Sequence, residues 1–145
     1  MTATSLLYPV FVQVLLTFTV IILMARARGQ SLRESRTSLE KREVALGEHK
    51  WSDAATLASN NFKNQFELPV LFYAGIAFAL ILKQSDSLFV GLAWAFALTR
   101  VVHVMVHLGP NVVRWRGLIY IIGAVCLLAF WITLFVRVLS GVAVI

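Results

Sequence analysis

Asn64, Glu67, Arg100, His103, His107 and Arg116 are polar or charged side chains set in otherwise apolar sequence. A charge at the centre of a membrane helix costs roughly 2.5–3.5 kcal/mol to insert, so each such group needs a partner and marks a functional site by default. Helical spacing puts Asn60, Asn64 and Glu67 on one stripe, and Arg100, His103 and His107 on another. Arg116 and Tyr120, one turn apart, open a further element. Together with Lys63 they would form an electropositive, donor-rich recess. Its chemistry suits a small polyanionic ligand meeting a lipophilic partner.

Simpler roles exist for each residue. Glu67 could neutralise Arg100 and hold two helices in register. The imidazoles could be interhelical donors, and Arg116 could snorkel to water. His103 and His107 could also face a metal ion, but Glu67 is the only third ligand in reach and no metal is expected.

The elements that must position these groups are legible in the hydropathy. The 145-residue chain is 59% hydrophobic, with mean hydropathy +0.82. Apolar runs extend over Leu6 to Met24, Leu68 to Leu82, Leu88 to Leu108 and Leu118 to Val136. A membrane span needs about 20 such residues. The expected fold is therefore all-α: a single four-helix integral membrane bundle over 1–145, with spans near 6–25, 62–82, 88–108 and 117–137. No Lys or Arg precedes the first run and Arg26 and Arg28 follow it, so it reads as a retained span rather than a secretion signal.

Arg26, Arg28, Arg33, Arg36, Lys41, Arg42 and Lys50 lie in the first connection, 26–60. Arg114 and Arg116 lie in the third, whereas the second offers only Lys83. This asymmetry places the odd connections in the cytoplasm and both termini on the far side. The net charge of +6 is thus an orientation signal. Glu34, Glu40, Glu43 and Glu48 break up any continuous cationic surface, so nucleic-acid binding is not expected. Cys126 is the only cysteine, which excludes an intrachain disulfide and a thiolate metal site.

Within the first connection, Ser31 and Glu34 suggest a capping box, and Leu32, Leu39 and Leu46 recur by sevens. A helical cytoplasmic extension is expected. Ser52 or Asp53 can cap a second helix running through Glu67 to about Leu82, roughly 45 Å, with a bend at Pro69. Gly109, Pro110 and Asn111 make a short turn, so the last two spans should be antiparallel neighbours. This topology brings all the costly groups into one leaflet.

Two blocks resemble the MAPEG family, the membrane-associated proteins of eicosanoid and glutathione metabolism. Lys63-Asn64-Gln65-Phe66-Glu67-Leu68-Pro69 is similar to the family's second-helix signature of a basic residue, Asn, two variable residues and Glu. The series Arg100, His103, Arg116 and Tyr120 has the spacing of the glutathione-using members. The resemblance implies a homotrimer in the bacterial inner membrane, with glutathione bound between subunits near the cytoplasmic face. It implies that Lys63, Asn64, Glu67, Arg100, His103, His107 and Tyr120 hold glutathione and that Arg116 stabilises its thiolate. The implied activity is a glutathione transferase or peroxidase-like attack on a lipophilic small molecule. The alternative within the family is a noncatalytic protein that binds membrane lipids or acts as a scaffold. The chain departs from the glutathione-using pattern at Asn60, at Lys63 where Arg is usual, at His107 in place of Tyr, and at Gly117 beside Arg116.

Overall fold

The computed structural model describes residues 3–36, 38 and 41–141. A 3-10 turn over Ala3–Leu6 leads into α1, Leu7–Glu34. Pro9 falls in the first turn of α1, where a missing N–H leaves no helical bond unmade. One turn of helix, α2 (Arg42–Ala45), follows. The second span is built from α3 (Asp53–Asn64) and α4 (Leu68–Ile81). The third and fourth are α5 (Ser87–Leu108) and α6 (Val113–Leu139). Four helical segments, Thr4–Glu34, Asp53–Ile81, Ser87–Leu108 and Val113–Leu139, are long and apolar enough to cross a membrane.

Ser52 caps α3, its hydroxyl accepting from the Ala55 N–H at 3.3 Å. The expected continuous helix from Ser52 to Leu82 is interrupted. Gln65 and Phe66 donate to the carbonyls of Phe62 and Lys63, closing a turn, and the chain restarts at Leu68. Pro69 then lies in the first turn of α4, where its ring blocks no preceding helical carbonyl. The strain expected of a mid-helix proline is thus relieved by breaking the helix.

Ser31 is also not a cap. It lies inside α1, buried, and its hydroxyl accepts from the backbone N–H of Ser52 at 2.9 Å, fastening the start of α3 to the end of α1. Nearby, Arg28 Nε donates to Ser59 Oγ at 3.2 Å while its guanidinium lies 5.0 Å from the Trp51 ring. Of the leucines spaced by sevens, Leu32 is buried and Leu46 exposed; Leu39, like Glu40, lies outside the described residues.

The bundle centre is aromatic. Phe72 stacks on Phe96 at 4.8 Å between centroids, and Phe89 meets Phe130 edge-on at 4.9 Å. Two glycines allow the close approach. A Cβ on Gly75 would lie 3.1 Å from the Phe130 ring, and one on Gly123 only 2.6 Å from Thr99 Oγ1, so α6 can seat against α4 and α5. The outer surface is equally apolar. Leu15, Phe18, Ile121, Val125, Ile132 and Phe135 are all more than half exposed, a surface suited to lipid rather than water.

The end of the bundle remote from Arg26 and Arg116 is held by a polar clasp. Asp86 caps α5, accepting from the N–H groups of Leu88 and Phe89 at 3.0 and 3.2 Å. It also pairs with Arg137 of α6, which donates to Gln84 Oε1 at 2.6 Å and lies 4.9 Å from the Phe89 ring. Burial pushes the Asp86 carboxyl up, but the Arg137 hydrogen bond and the two backbone N–H bonds outweigh it and hold the group below its ordinary value of 3.8. A depressed folded value means the clasp is at full strength above pH 3.8 and weakens as the pH falls through that lower value. Asp86→Asn keeps a good cap but removes the charge. The acid limb of melting temperature against pH should therefore flatten in that variant, and an unchanged limb would show that the pair contributes nothing.

Candidate functional site

The sequence-predicted residues converge at the opposite, basic end. Asn60 and Asn64 from α3, His103 and His107 from α5, and Arg116, Gly117 and Tyr120 from α6 line one cleft of about 460 Å³. The antiparallel pairing of α5 and α6 produces this convergence. The last turn of one helix and the first turns of the other meet across the Gly109–Asn111 turn, and α3 packs on α5.

Asn64 Nδ2 lies 3.5 Å from His103 Nε2. The His103 ring is 5.6 Å from the His107 ring and 5.8 Å from Tyr120. Arg116 half-emerges at the wall, where its Nη1 donates to Asn111 Oδ1 at 3.0 Å. Asn111 adopts a left-handed conformation, φ 47°, which asparagine tolerates better than most residues. Read from sequence only as part of a turn, it also orients the guanidinium. The one available signal was an amide within five residues of Arg116 at a chain reversal.

Lys63, Glu67 and Arg100 are outside the lining. Lys63 is exposed to one side. Arg100 lies behind the cleft, 2% exposed, with its guanidinium 4.9 Å from the Tyr120 ring and 5.8 Å from the Phe96 ring. No ion pair joins Arg100 to Glu67 among the described residues. Glu67 is exposed, and its Oε2 accepts from the Tyr120 hydroxyl at 3.2 Å. The break after Asn64 accounts for the difference. Without a continuous helix, Glu67 no longer continues the stripe of Asn60 and Asn64. Tyr120 bridges the two charges instead, its face toward the cation and its hydroxyl on the anion.

Behind this site runs a buried amide chain that sequence reasoning missed. Gln13 of α1 donates through Nε2 to Gln65 Oε1 at 2.9 Å, and Gln65 Nε2 donates to Asn61 Oδ1 at 3.1 Å. A lone glutamine in the first apolar run was its signal. The chain ties the α3–α4 break to α1, so the interruption is supported by hydrogen bonds in the core.

Several buried donors and acceptors around the cleft have no protein partner among the described residues. These are Nε and Nη2 of Arg100, Nδ1 of His103 and both ring nitrogens of His107. Leaving such a group unsatisfied costs about 1–3 kcal/mol. Five such nitrogens on three neighbouring side chains, at and behind the cleft, are a local departure from the usual pairing of buried polar groups. Among the described residues, no group of three or more His, Cys, Asp or Glu side chains comes together.

Four long apolar helices, with a cationic polar cleft between them at one end, define the architecture of a helical membrane protein. The profile of the MAPEG family matches residues 6–136, from the first turn of the bundle to near the end of α6, and the chain belongs to that family. It is a multi-pass membrane protein of a family with glutathione-related transferase, peroxidase and related functions. No curated protein and no solved structure matches the chain significantly.

Proposed function

We propose that the protein is a membrane-bound, glutathione-dependent transferase or peroxidase-like enzyme in which a thiolate beside Arg116 attacks a lipophilic electrophile arriving from the bilayer. The observation that carries this reading is the cluster of unpartnered nitrogens on Arg100, His103 and His107 around a cleft that also holds Arg116. Glutathione presents two carboxylates, an amine and a thiol. Its carboxylates match the positive charge of Arg100 behind the cleft wall and of the nearby Lys63, and its amine and amides match Asn64, Glu67, Tyr120 and the imidazoles. A thiol with a pKa near 8.5 is mostly protonated at neutral pH, and a fixed guanidinium shifts it toward the nucleophilic thiolate. Arginine suits the task because it stays charged in apolar surroundings. A cleft of about 460 Å³ lies within the range of small-molecule sites.

The lipophilic partner has a berth close by. An apolar groove of about 480 Å³ runs between α4 and α6, lined by Leu68, Leu71, Leu127, Leu128 and Trp131. In this proposal three copies associate through such exposed apolar faces, and the basic end faces the cytoplasm of a bacterial cell. The same groove favours a second reading, a noncatalytic lipid-binding protein.

Calorimetric titration of the detergent-purified protein separates the two. The enzyme gives saturable heat with glutathione and none with 2-mercaptoethanol, which lacks the carboxylates. No saturable heat with glutathione would leave only the lipid-binding reading.

A further inference from the structure

The geometry points to His107 as the proton acceptor for the thiol, with Arg116 holding the thiolate that results. This inference rests on the thiol-dependent function proposed above. His107 is at the end of α5, only 2% exposed, and is among the residues that line the cleft. Neither ring nitrogen has a hydrogen-bond partner among the described residues. A histidine that merely tied helices together would use at least one of them. His103, one turn away, is different: its Nε2 is within 3.5 Å of Asn64.

The surroundings give the roles. Arg116 lines the same cleft from α6 and is engaged by Asn111 through Nη1, so it offers a permanent positive charge and cannot accept a proton. The other titratable groups facing this space are His103 from α5 and Tyr120 from α6. Tyr120 donates its hydroxyl proton to Glu67 and is committed there. From α3 come only the neutral amides Asn60 and Asn64. Arg100 lies deeper, against Tyr120. Among the described residues that line the cleft, His107 is therefore the basic group of ordinary near-neutral titration whose two ring nitrogens are both unengaged. Imidazole is also the side chain whose ordinary titration falls nearest neutrality.

In the step, an unprotonated ring nitrogen of His107 takes the S–H proton, directly or through one water, and the S–H electron pair remains on sulfur. The sulfur forms a bond to the electrophilic carbon. The displaced pair moves onto the leaving group, or onto the acceptor atom of a conjugated substrate, and the imidazolium returns the proton there. Charge and protons balance within the site. Among the described residues no hydrogen bond fixes the orientation of the ring. Gly117 keeps the facing wall low, since a Cβ there would meet nothing within 4 Å.

The test counts protons and does not depend on turnover. Glutathione is titrated into the folded, detergent-purified protein in two buffers of different ionisation enthalpy, and thiolate formation is followed by ultraviolet difference absorbance. If His107 takes the proton, the wild type shows thiolate absorbance with close to no net proton released to the buffer. In His107→Phe and His107→Gln, both checked for a monodisperse elution profile, the absorbance either disappears or reappears with about one proton released per site. Thiolate formation accompanied by a full proton released in the wild type overturns the inference while leaving the glutathione site standing. Absence of any binding heat overturns both together. A full proton released by the wild type overturns the inference even if neither variant folds.

Discussion

Arg116→Ala should lower thiol-dependent turnover by about 10²–10³-fold, the effect of deleting one preorganised group that stabilises developing negative charge in a low-dielectric site. The protein itself should remain folded. Arg116 contributes one hydrogen bond, to Asn111, and sits half-buried at the bundle end, so its loss removes about 1 kcal/mol of net interaction and opens no core cavity. Conjugation of glutathione to a chromogenic aromatic electrophile measures the first effect, and a thermal melt with size-exclusion chromatography checks the second. Arg116→Lys discriminates further. It keeps the charge but loses the planar fork of donors, and should recover part of the lost rate. Unchanged turnover in Arg116→Ala would refute the assignment of this residue.

Arg100→Met should have opposite effects on stability and on binding. The guanidinium is buried, two of its nitrogens are unpartnered, and no carboxylate pairs with it among the described residues. Replacing buried ionic groups by apolar residues of similar volume is often neutral or stabilising by about 1–4 kcal/mol. The contacts with Tyr120 and Phe96 return part of that, up to about 2 kcal/mol for a desolvated cation over an aromatic ring. The ligand-free variant should thus melt no lower than the wild type. Its affinity for glutathione should fall about 10- to 100-fold, since a hydrogen bond to a charged group contributes about 1.5–3 kcal/mol. A variant that melts well below the wild type would mean that Arg100 serves the fold, and the ligand argument built on its free nitrogens would fail.

Glu67 illustrates what the one-dimensional pattern conveyed and what it did not. Its type and depth marked it as a polar group close to the site, and it does meet Tyr120 of α6. The pairing with Arg100, one of the roles open to it, is not found among the described residues, because helical periodicity extrapolates a face only while the backbone stays helical. The turn at Gln65 and Phe66 ended that condition. Pro69 was read correctly as a disturbance and its form was not, since the same proline can bend a helix or begin a new one. Ser31 shows the same limit: a capping pattern assigns a local role, but the residue bonds to Ser52, 21 positions away. Asn111 and the Gln13–Gln65–Asn61 chain escaped notice because single amides carry no periodic signal. Their meaning lies in which partner the fold brings to them.

By itself the amino-acid order determined an all-helical architecture, four apolar segments of membrane-crossing length and the family. These properties follow from solvation and local geometry: apolar length sets what can enter a bilayer, and a fixed 3.6-residue period sets which neighbours share a face. It also brought Asn64, His103, His107, Arg116 and Tyr120 together in principle, because short turns and antiparallel spans leave few ways to arrange the helix ends. Only the tertiary structure decided that Arg100 lies behind the cleft, that Tyr120 stands between Arg100 and Glu67, and that both nitrogens of His107 are left without a partner among the described residues. Hydrogen bonds and ring contacts act over a few ångströms with strict directionality. They are set by the rotation and spacing of packed helices, where Gly75, Gly123 and the break before Leu68 determine how closely the elements meet.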